Sequence, residues 1–136
     1  MNESQLGALG EHLVIAELLQ RGFHLATPIV DVDGFDLLVS VDARHFSRIQ
    51  IKTSRQPHYE ETSPTYRFNS GPRLGSDFYI LCCLFHKTFY IIPTSEMPKG
   101  VRLSGDGSGR SSFEKNLSAF NLLSNKPSTE GTNAGS

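Results

Sequence analysis

A continuous apolar run from Phe78 to Phe85, FYILCCLF, constrains the fold of this chain more than any other feature. A run without polar alternation is typical of a strand that is covered on both faces. Such a strand requires a sheet with other layers packed against it. The 136 residues of the chain are enough for one domain of this kind, which then needs neither metal ions nor disulfides to fold.

The order of the other segments predicts an α/β fold, a mixed sheet with a helix on each side. We expect a single domain over residues 1–123 and a disordered tail over residues 124–136. The Gly- and Ser-rich residues 104–110 predict a flexible linker. Alternating or continuous apolar segments predict strands at 35–41, 48–54, 66–68, 78–85 and 89–92.

Two helices are predicted, one at each end of this domain. Residues 4–21 have the apolar spacing of a helix that Ser4 caps and Gly22 ends. Ser111 followed three residues later by Glu114 is the pattern of a capping box, and it predicts a closing helix.

Composition excludes several classes of protein. Thirteen Lys and Arg against fourteen Asp and Glu give a net charge of −1, which excludes a histone-like binder but permits a local basic face. No apolar run approaches the roughly 20 residues of a membrane span, and the polar, acidic N-terminus is unlike a signal peptide. Cys82 and Cys83 are adjacent and cannot bridge distant segments, so we predict a reducing compartment, the cytoplasm.

Glu11 is the one polar residue in an apolar arc of the predicted first helix. Gly7, one turn earlier, would let another backbone approach closely. A carboxylate that faces the sheet loses hydration unless it meets a cation or hydrogen-bond donors. Glu11 is therefore a candidate ligand. The alternative is a carboxylate that only favours the helix dipole or is satisfied within the core.

Three further polar residues share one face of a predicted hairpin. Strand alternation places Gln50 and Lys52 opposite the isoleucines of RIQIKTS. A hairpin tip near residues 43–44 sets Asp36 directly across from Gln50 or Lys52. Each of these residues alone is common on a half-exposed strand or at a strand end, so the interest lies in their combination.

Together, Glu11, Asp36, Gln50 and Lys52 have the chemistry of phosphodiester hydrolysis. Two carboxylates and an amide oxygen are hard ligands, which Mg²⁺ uses together with waters and substrate phosphate. The cation would polarise a phosphate and activate a bound water. A lysine within reach would orient or deprotonate that water and offset charge in the transition state.

The segments GEHLVIAELLQRGF, GFDLLV and RIQIKTS resemble the PD-(D/E)XK nuclease superfamily, which has a restriction-endonuclease-like fold with an αβββαβ-type core. It particularly resembles the Gln-x-Lys branch, which includes group I intron-type homing endonucleases and Holliday-junction-resolvase-like proteins. The resemblance extends over residues 4–123. It implies that Glu11 is the helix glutamate, Asp36 the metal aspartate and Gln50-Ile51-Lys52 the last motif.

One departure from this superfamily bears on activity. Gln50 stands where most members have Asp or Glu, so the site holds one negative charge fewer. Metal affinity could therefore be weaker, or activity lost. Related members with Gln keep the fold and are thought to be active.

The segment that follows Lys52 predicts contacts with nucleic acid. It interleaves basic and aromatic residues, as backbone-tracking and base-stacking surfaces do. Glu60 and Glu61 argue against a simple basic patch, and a solvated loop is the alternative. Asp31 and Asp33 are better explained by turn chemistry than by a peripheral metal contact. The candidate DNA-binding residues are Ser54, Arg55, Arg67 and Arg73.

We therefore expect a metal-dependent DNA endonuclease. Glu11, Asp36, Gln50 and the Ile51 carbonyl would hold Mg²⁺ or Mn²⁺, and Lys52 would act on the attacking water. A homodimer is expected because one small site cuts one strand of a symmetric duplex. The alternative is a catalytically inactive module of the same fold that binds nucleic acid or a partner protein. A third possibility is an interaction domain without nucleic acid.

Overall fold

The computed structural model describes residues 1–30, 34–57, 64–71 and 75–124. Predictions for Asp31, Asp33, Glu60, Glu61, Arg73 and the tail from residue 125 onward lie outside these ranges. In chain order, the elements are helix α1 (Glu3–Gln20) and strands β1 (His24–Ala26), β2 (Leu37–Ser40), β3 (Ser47–Ser54), β4 (Tyr66–Asn69), β5 (Phe78–Cys83), β6 (Thr88–Pro93) and β7 (Gly100–Leu103). Three short 3-10 helices span Thr94–Glu96, Ser112–Asn116 and Phe120–Ser124.

The main sheet has five strands in the order β1-β2-β3-β5-β6. β3 and β5 are parallel, and the other neighbours are antiparallel. In β5, every residue from Tyr79 to Cys83 is buried, which confirms the prediction of a strand covered on both faces. The sheet is mixed, as predicted.

Helix α1 covers one face of this sheet. Its buried residues recur every fourth position, at Leu6, Gly10, Val14 and Leu18, and form one stripe. Val14 and Leu18 pack in a core cluster with the isoleucines of β3. None of the helices in the described ranges is long and apolar enough to cross a membrane.

The predicted end of α1 is confirmed, and its predicted start is wrong. Gly22 has a φ of 87°, the left-handed conformation that ends a helix at little cost for glycine. Asn2, rather than Ser4, is the cap. Its side chain accepts a hydrogen bond from the backbone N–H of Gln5, whose own side chain accepts one from the Asn2 N–H. This reciprocal pair satisfies two N–H groups that helix geometry leaves without partners.

The opposite face of the sheet is covered by a two-stranded ribbon and not by an α-helix. β4 and β7 pair with each other, apart from the main sheet. Tyr66, Phe68, Val101 and Leu103 of this ribbon pack in a second core cluster with side chains of β5 and β6. β7 was not predicted, since it has four residues and its partner lies more than thirty residues earlier in the chain.

The predicted closing helix is wrong. Residues 112–116 and 120–124 form two 3-10 turns, and Leu117 between them is extended and bridges to Tyr90. Glu114 does not reach back to the Ser111 backbone as in a capping box. Its buried carboxylate accepts hydrogen bonds from the Tyr90 hydroxyl and from Ser104. Together with a bond from the Gly109 N–H to the Ser104 hydroxyl, they fix residues 104–110 against the core. This segment was predicted to be a flexible linker.

Candidate active site

Asp36 lies directly before β2, at the edge where β2 meets β3. Its backbone N–H donates to the Ile49 carbonyl at 2.7 Å. Its half-buried carboxylate accepts two hydrogen bonds at Oδ2, from the Ile51 N–H at 2.8 Å and from Gln50 Nε2 at 3.0 Å. Of the two partners predicted across the hairpin, Gln50 is therefore the one that Asp36 faces. Asp36 is therefore held to β3 twice, through its own backbone N–H and through its carboxylate.

These contacts also set the orientation of two oxygens beside Asp36. A carboxylate only accepts hydrogen bonds, so Gln50 must turn its NH₂ group toward Asp36, which directs its carbonyl oxygen elsewhere. The N–H and C=O of one strand residue point to the same edge of the strand. The Ile51 carbonyl is therefore directed to the edge of β3 where its N–H meets Asp36.

Lys52 and Ser54 follow Gln50 on the same face of β3. In the parallel register, Gln50 lies beside Tyr79, and Lys52 lies beside Leu81. Both neighbours on β5 belong to the cluster under the β4–β7 ribbon, so the ribbon and these polar side chains share one face of the sheet. Lys52 is half-buried. β2 begins at Leu37, opposite Ile49, so this half of β3 extends beyond β2.

Helix α1 brings Glu11 alongside the same half of β3, but from the other face. Gly10 packs so closely on Thr53 that a Cβ at position 10 would lie 1.7 Å from the Thr53 hydroxyl oxygen. The close approach is at Gly10 and not at Gly7, where added volume would meet nothing within 4 Å. Glu11 follows directly and is half-buried at the border of the buried stripe, rather than within an apolar arc as predicted.

Comparison with known proteins identifies the family. The sequence profile of PD-(D/E)XK endonucleases matches residues 1–105. This chain belongs to the PD-(D/E)XK endonuclease family. The fold is similar to that of a solved bacterial homing endonuclease, I-Ssp6803I, with a TM-score of 0.78 and 18% identity over 97% of this chain and 98% of that chain. A comparison with curated proteins gave no match.

The fold comparison confirms the predicted restriction-endonuclease-like class. The similarity extends over nearly the whole of both chains. At 18% identity, the likeness concerns the fold. The roles of individual residues in this PD-(D/E)XK protein therefore have to be argued from its own geometry.

The donor set of this PD-(D/E)XK protein suits a hard cation. Among the residues that the structure describes, no three or more His, Cys, Asp or Glu side chains lie close enough to hold a metal ion together. Around Asp36, the potential ligands are carboxylate, amide and backbone oxygens. Mg²⁺ prefers such oxygens, binds few protein groups and keeps several waters. The residues present therefore fit the cation that the family implies.

The predicted DNA-binding residues are in different surroundings. The Arg55 guanidinium donates to the Met1 carbonyl, which ties the end of β3 to the N-terminus. Arg67 lies on the exposed face of β4, directly opposite Arg102 of β7. Arg102 was not among the predicted residues. The alternation in Val101-Arg102-Leu103 is the signal that could have indicated a strand there.

A groove of about 970 Å³ lies apart from the Asp36 site. None of the four predicted catalytic residues lines it. Its walls come from the end of the ribbon, the β5–β6 turn and the segment after β7, and they include His86, Arg102, Asp106 and Arg110. The site that the family motifs indicate is therefore an edge of the sheet, and the groove belongs to another part of the surface.

Proposed function

We propose that this protein hydrolyses phosphodiester bonds in DNA with the help of Mg²⁺ or Mn²⁺. The arrangement of Asp36 supports the proposal most directly. This carboxylate is fixed by a backbone N–H and an amide at the point where β3 extends beyond β2. Preorganised charge at an accessible strand edge is what an electrostatic catalyst needs, because no reorganisation is required during the reaction.

Asp36, the Gln50 carbonyl oxygen, the Ile51 carbonyl and Glu11 would hold the cation. When bound, it would supply Lewis-acid polarisation of the phosphate and lower the pKa of a water. The chain itself orients its ligands, since one amide group of Gln50 both donates to Asp36 and directs its oxygen away from it. A carboxylate at position 50 could not make this bond.

Lys52 would orient the attacking water and offset negative charge on the phosphate. It lies two residues after Gln50, so its side chain projects on the same face of β3. Its half-buried position reduces solvent screening, which strengthens its interaction with a nearby anion. A phosphate at the edge of β3 would therefore meet a positive charge beside the cation.

Glu11 would be a further cation ligand, next to the part of β3 that extends beyond the start of β2. The Gly10–Thr53 contact holds α1 against the part of β3 that extends beyond Leu37. Glu11 lies at the border of the helix stripe, next to this strand edge, so its carboxylate would approach the cation from the α1 side. The role of Glu11 is tested separately, by Glu11→Gln, because it comes from the opposite face of the sheet.

The test is cleavage of plasmid, branched and single-stranded DNA with Mg²⁺ or Mn²⁺. Asp36→Ala and Lys52→Ala are compared with the wild type. Glu96→Ala and Lys115→Ala are matched controls, because they remove an exposed acid and an exposed base elsewhere. We expect cleavage by the wild type and both controls and none by the site variants. Cleavage that persists in both site variants would refute the assignment, and binding without cleavage under either metal would identify an inactive DNA-binding module.

We also propose that the active species is a homodimer on DNA. A single small site of this kind cuts one strand, and a duplex with two-fold symmetry presents two equivalent strands. Sedimentation of the wild type with and without a plasmid-derived duplex tests this. A monomer under both conditions would contradict it.

The cysteines support a place in the cytoplasm. Cys82 and Cys83 are buried thiols on β5 that form no disulfide. Burial raises the pKa of Cys82 to about 11, which disfavours the reactive thiolate. We propose that the native protein needs no disulfide, so stability should be the same with and without a reductant. A loss of stability on reduction would count against this compartment.

A further inference from the structure

The β4–β7 ribbon has one face in the core and one face in solvent. Tyr66 and Phe68 alternate with Arg67 and Asn69 along β4, and the apolar pair is buried while the polar pair is exposed. β7 alternates in the same way, with Arg102 exposed between two buried residues. Packing therefore explains the inner face, and the outer face is polar and exposed.

The outer face concentrates groups that bind DNA. Arg67 and Arg102 are a direct cross-strand pair, which places their Cβ atoms about 5 Å apart. Asn69 is opposite Gly100, where there is no side chain to cover its amide. Arginine and asparagine are the side chains that make bidentate contacts with guanine and adenine edges. Neither β4 nor β7 contains an acidic residue.

The ribbon also lies on the same face of the sheet as polar residues of the Asp36 site. It covers the face of the main sheet on which Gln50 and Lys52 lie, and β4 contacts β3. Arg102 also lines the neighbouring groove, together with Arg110. A duplex held by the outer face could therefore extend toward the edge of β3. Asp106 lines the same groove, so the positive surface is interrupted there.

Width and length of the ribbon fit one groove of DNA and not the other. Two strands are about 4.8 Å apart before their side chains are added. The major groove, about 12 Å wide, admits a two-stranded ribbon, whereas the minor groove is only about 6 Å wide. Four residues at about 3.3 Å each cover roughly 13 Å, or about four base-pair steps.

We propose that the outer face of the β4–β7 ribbon enters the major groove of duplex DNA and is the principal DNA-binding element of this protein. Arg67, Asn69 and Arg102 would contact phosphates on DNA of arbitrary sequence and base edges on a preferred sequence. The inference rests on the proposed function insofar as that makes DNA the substrate. It is tested by measuring DNA binding without Mg²⁺ or Mn²⁺, so the result does not depend on whether the protein cleaves DNA.

The first experiment measures affinity for a duplex of random sequence in EDTA, over a range of salt concentrations. The variant Arg67→Gln/Arg102→Gln should bind at least about tenfold more weakly and reduce the slope of log K against log salt by about 2. Arg44→Gln/Lys115→Gln is the matched control, because it removes the same charge from exposed positions outside the ribbon. The variant Arg67→Lys/Arg102→Lys should keep most of the slope.

A ribbon variant that binds like the charge-matched control would overturn the proposal, and so would a wild type that does not bind duplex. These results are distinguishable from failure of the proposed function. If the wild type binds through the ribbon but never cleaves, the ribbon proposal stands and the nuclease proposal fails. If Asp36→Ala abolishes cleavage but the ribbon variant binds normally, the reverse holds.

A second experiment identifies the groove. Duplex with glucosylated 5-hydroxymethylcytosine has an obstructed major groove, and netropsin occupies the minor groove of A·T tracts. We expect glucosylation to weaken wild-type binding to the level of the ribbon variant, and netropsin to leave it unchanged. Displacement by netropsin together with tolerance of glucosylation would overturn the major-groove assignment.

Discussion

Asp36 and Glu114 are two carboxylates held by hydrogen bonds, and they differ in how far the fold encloses them. Glu114 is 8% exposed and accepts bonds at both oxygens, from Tyr90 and from the backbone and side chain of Ser104. Asp36 is half-buried, and its two bonds from β3 converge on Oδ2. Glu114 is therefore committed to the fold, whereas Asp36 can present its other oxygen to a ligand.

The surroundings reinforce this difference. Gly109 packs so closely on Glu114 that a Cβ there would lie 2.2 Å from its carboxylate oxygen. Burial, together with the bond to Glu114, raises the pKa of the Tyr90 hydroxyl and keeps it a donor. Asp36, in contrast, directly precedes β2, and β3 extends beyond the start of β2. Burial and hydrogen bonding alone thus do not distinguish the proposed metal ligand Asp36 from the structural carboxylate of Glu114, whereas the open strand edge does.

The comparison predicts that Asp36→Asn reduces cleavage and preserves stability. Asparagine keeps a carbonyl oxygen that can accept from the Ile51 N–H and Gln50, so the hairpin is retained. It lacks the charge that would hold a divalent cation. We expect a loss of cleavage of about 10³-fold, the scale of one removed electrostatic group. The free energy of unfolding, measured with urea, should change by less than about 1 kcal/mol.

The largest expected change in stability is at the contact that serves both the fold and the site. Gly10→Ala forces a methyl group into the Thr53 side chain, so α1 must move away from β3. We expect a cost of about 3 kcal/mol, at the upper end of overpacking, and reduced cleavage because Glu11 moves with the helix. Urea unfolding and plasmid cleavage measure the two effects.

Gly7→Ala is the matched control for this substitution. Gly7 is in the same helix and has nothing within 4 Å of an added Cβ. Alanine there should stabilise the protein by about 0.5–1 kcal/mol, because helical glycine loses more backbone entropy on folding. Equal effects of the two substitutions would show that α1 does not dock through Gly10.

Glu114→Gln should have the opposite profile to Asp36→Asn. Glutamine provides one acceptor oxygen and an NH₂ group, so either the Ser104 N–H or the two hydroxyls lose their acceptor. We expect the free energy of unfolding to fall by about 2 kcal/mol and cleavage per folded molecule to stay unchanged. If cleavage fell as steeply as in Asp36→Asn, the distinction between the two carboxylates would be wrong.

Local patterns in the sequence predicted the parts of the fold that local physics decides. Gly22 ends α1 because a left-handed residue is needed there, and alternation in RIQIKTS sets the register that brings Gln50 to Asp36. The predicted capping box failed because Glu114 gains more from Tyr90 and Ser104, which are distant in sequence. No local pattern reports such partners.

The side of α1 that faces the sheet was predicted wrongly for a similar reason. The sequence predicted an apolar arc that includes Glu11, whereas the buried stripe is Leu6, Gly10, Val14 and Leu18. Which glycine approaches the sheet depends on the position of Thr53, and so on tertiary packing. The candidate residues of the site could be named from the sequence, but the faces from which they approach could not.

Gln50→Glu addresses why this chain has an amide at position 50. The substitution replaces the donor that lies 3.0 Å from Asp36 with a second carboxylate. Without a cation, the lost hydrogen bond and the repulsion should lower the free energy of unfolding by roughly 1–2 kcal/mol. A divalent cation would relieve this repulsion, so Mg²⁺ should raise the melting temperature of the variant more than that of the wild type. Gln50→Ala removes the same bond without adding charge and should show no such gain. An equal response to Mg²⁺ in all three proteins would mean that the cation does not bind between these side chains, and that the open edge at Asp36 has another use.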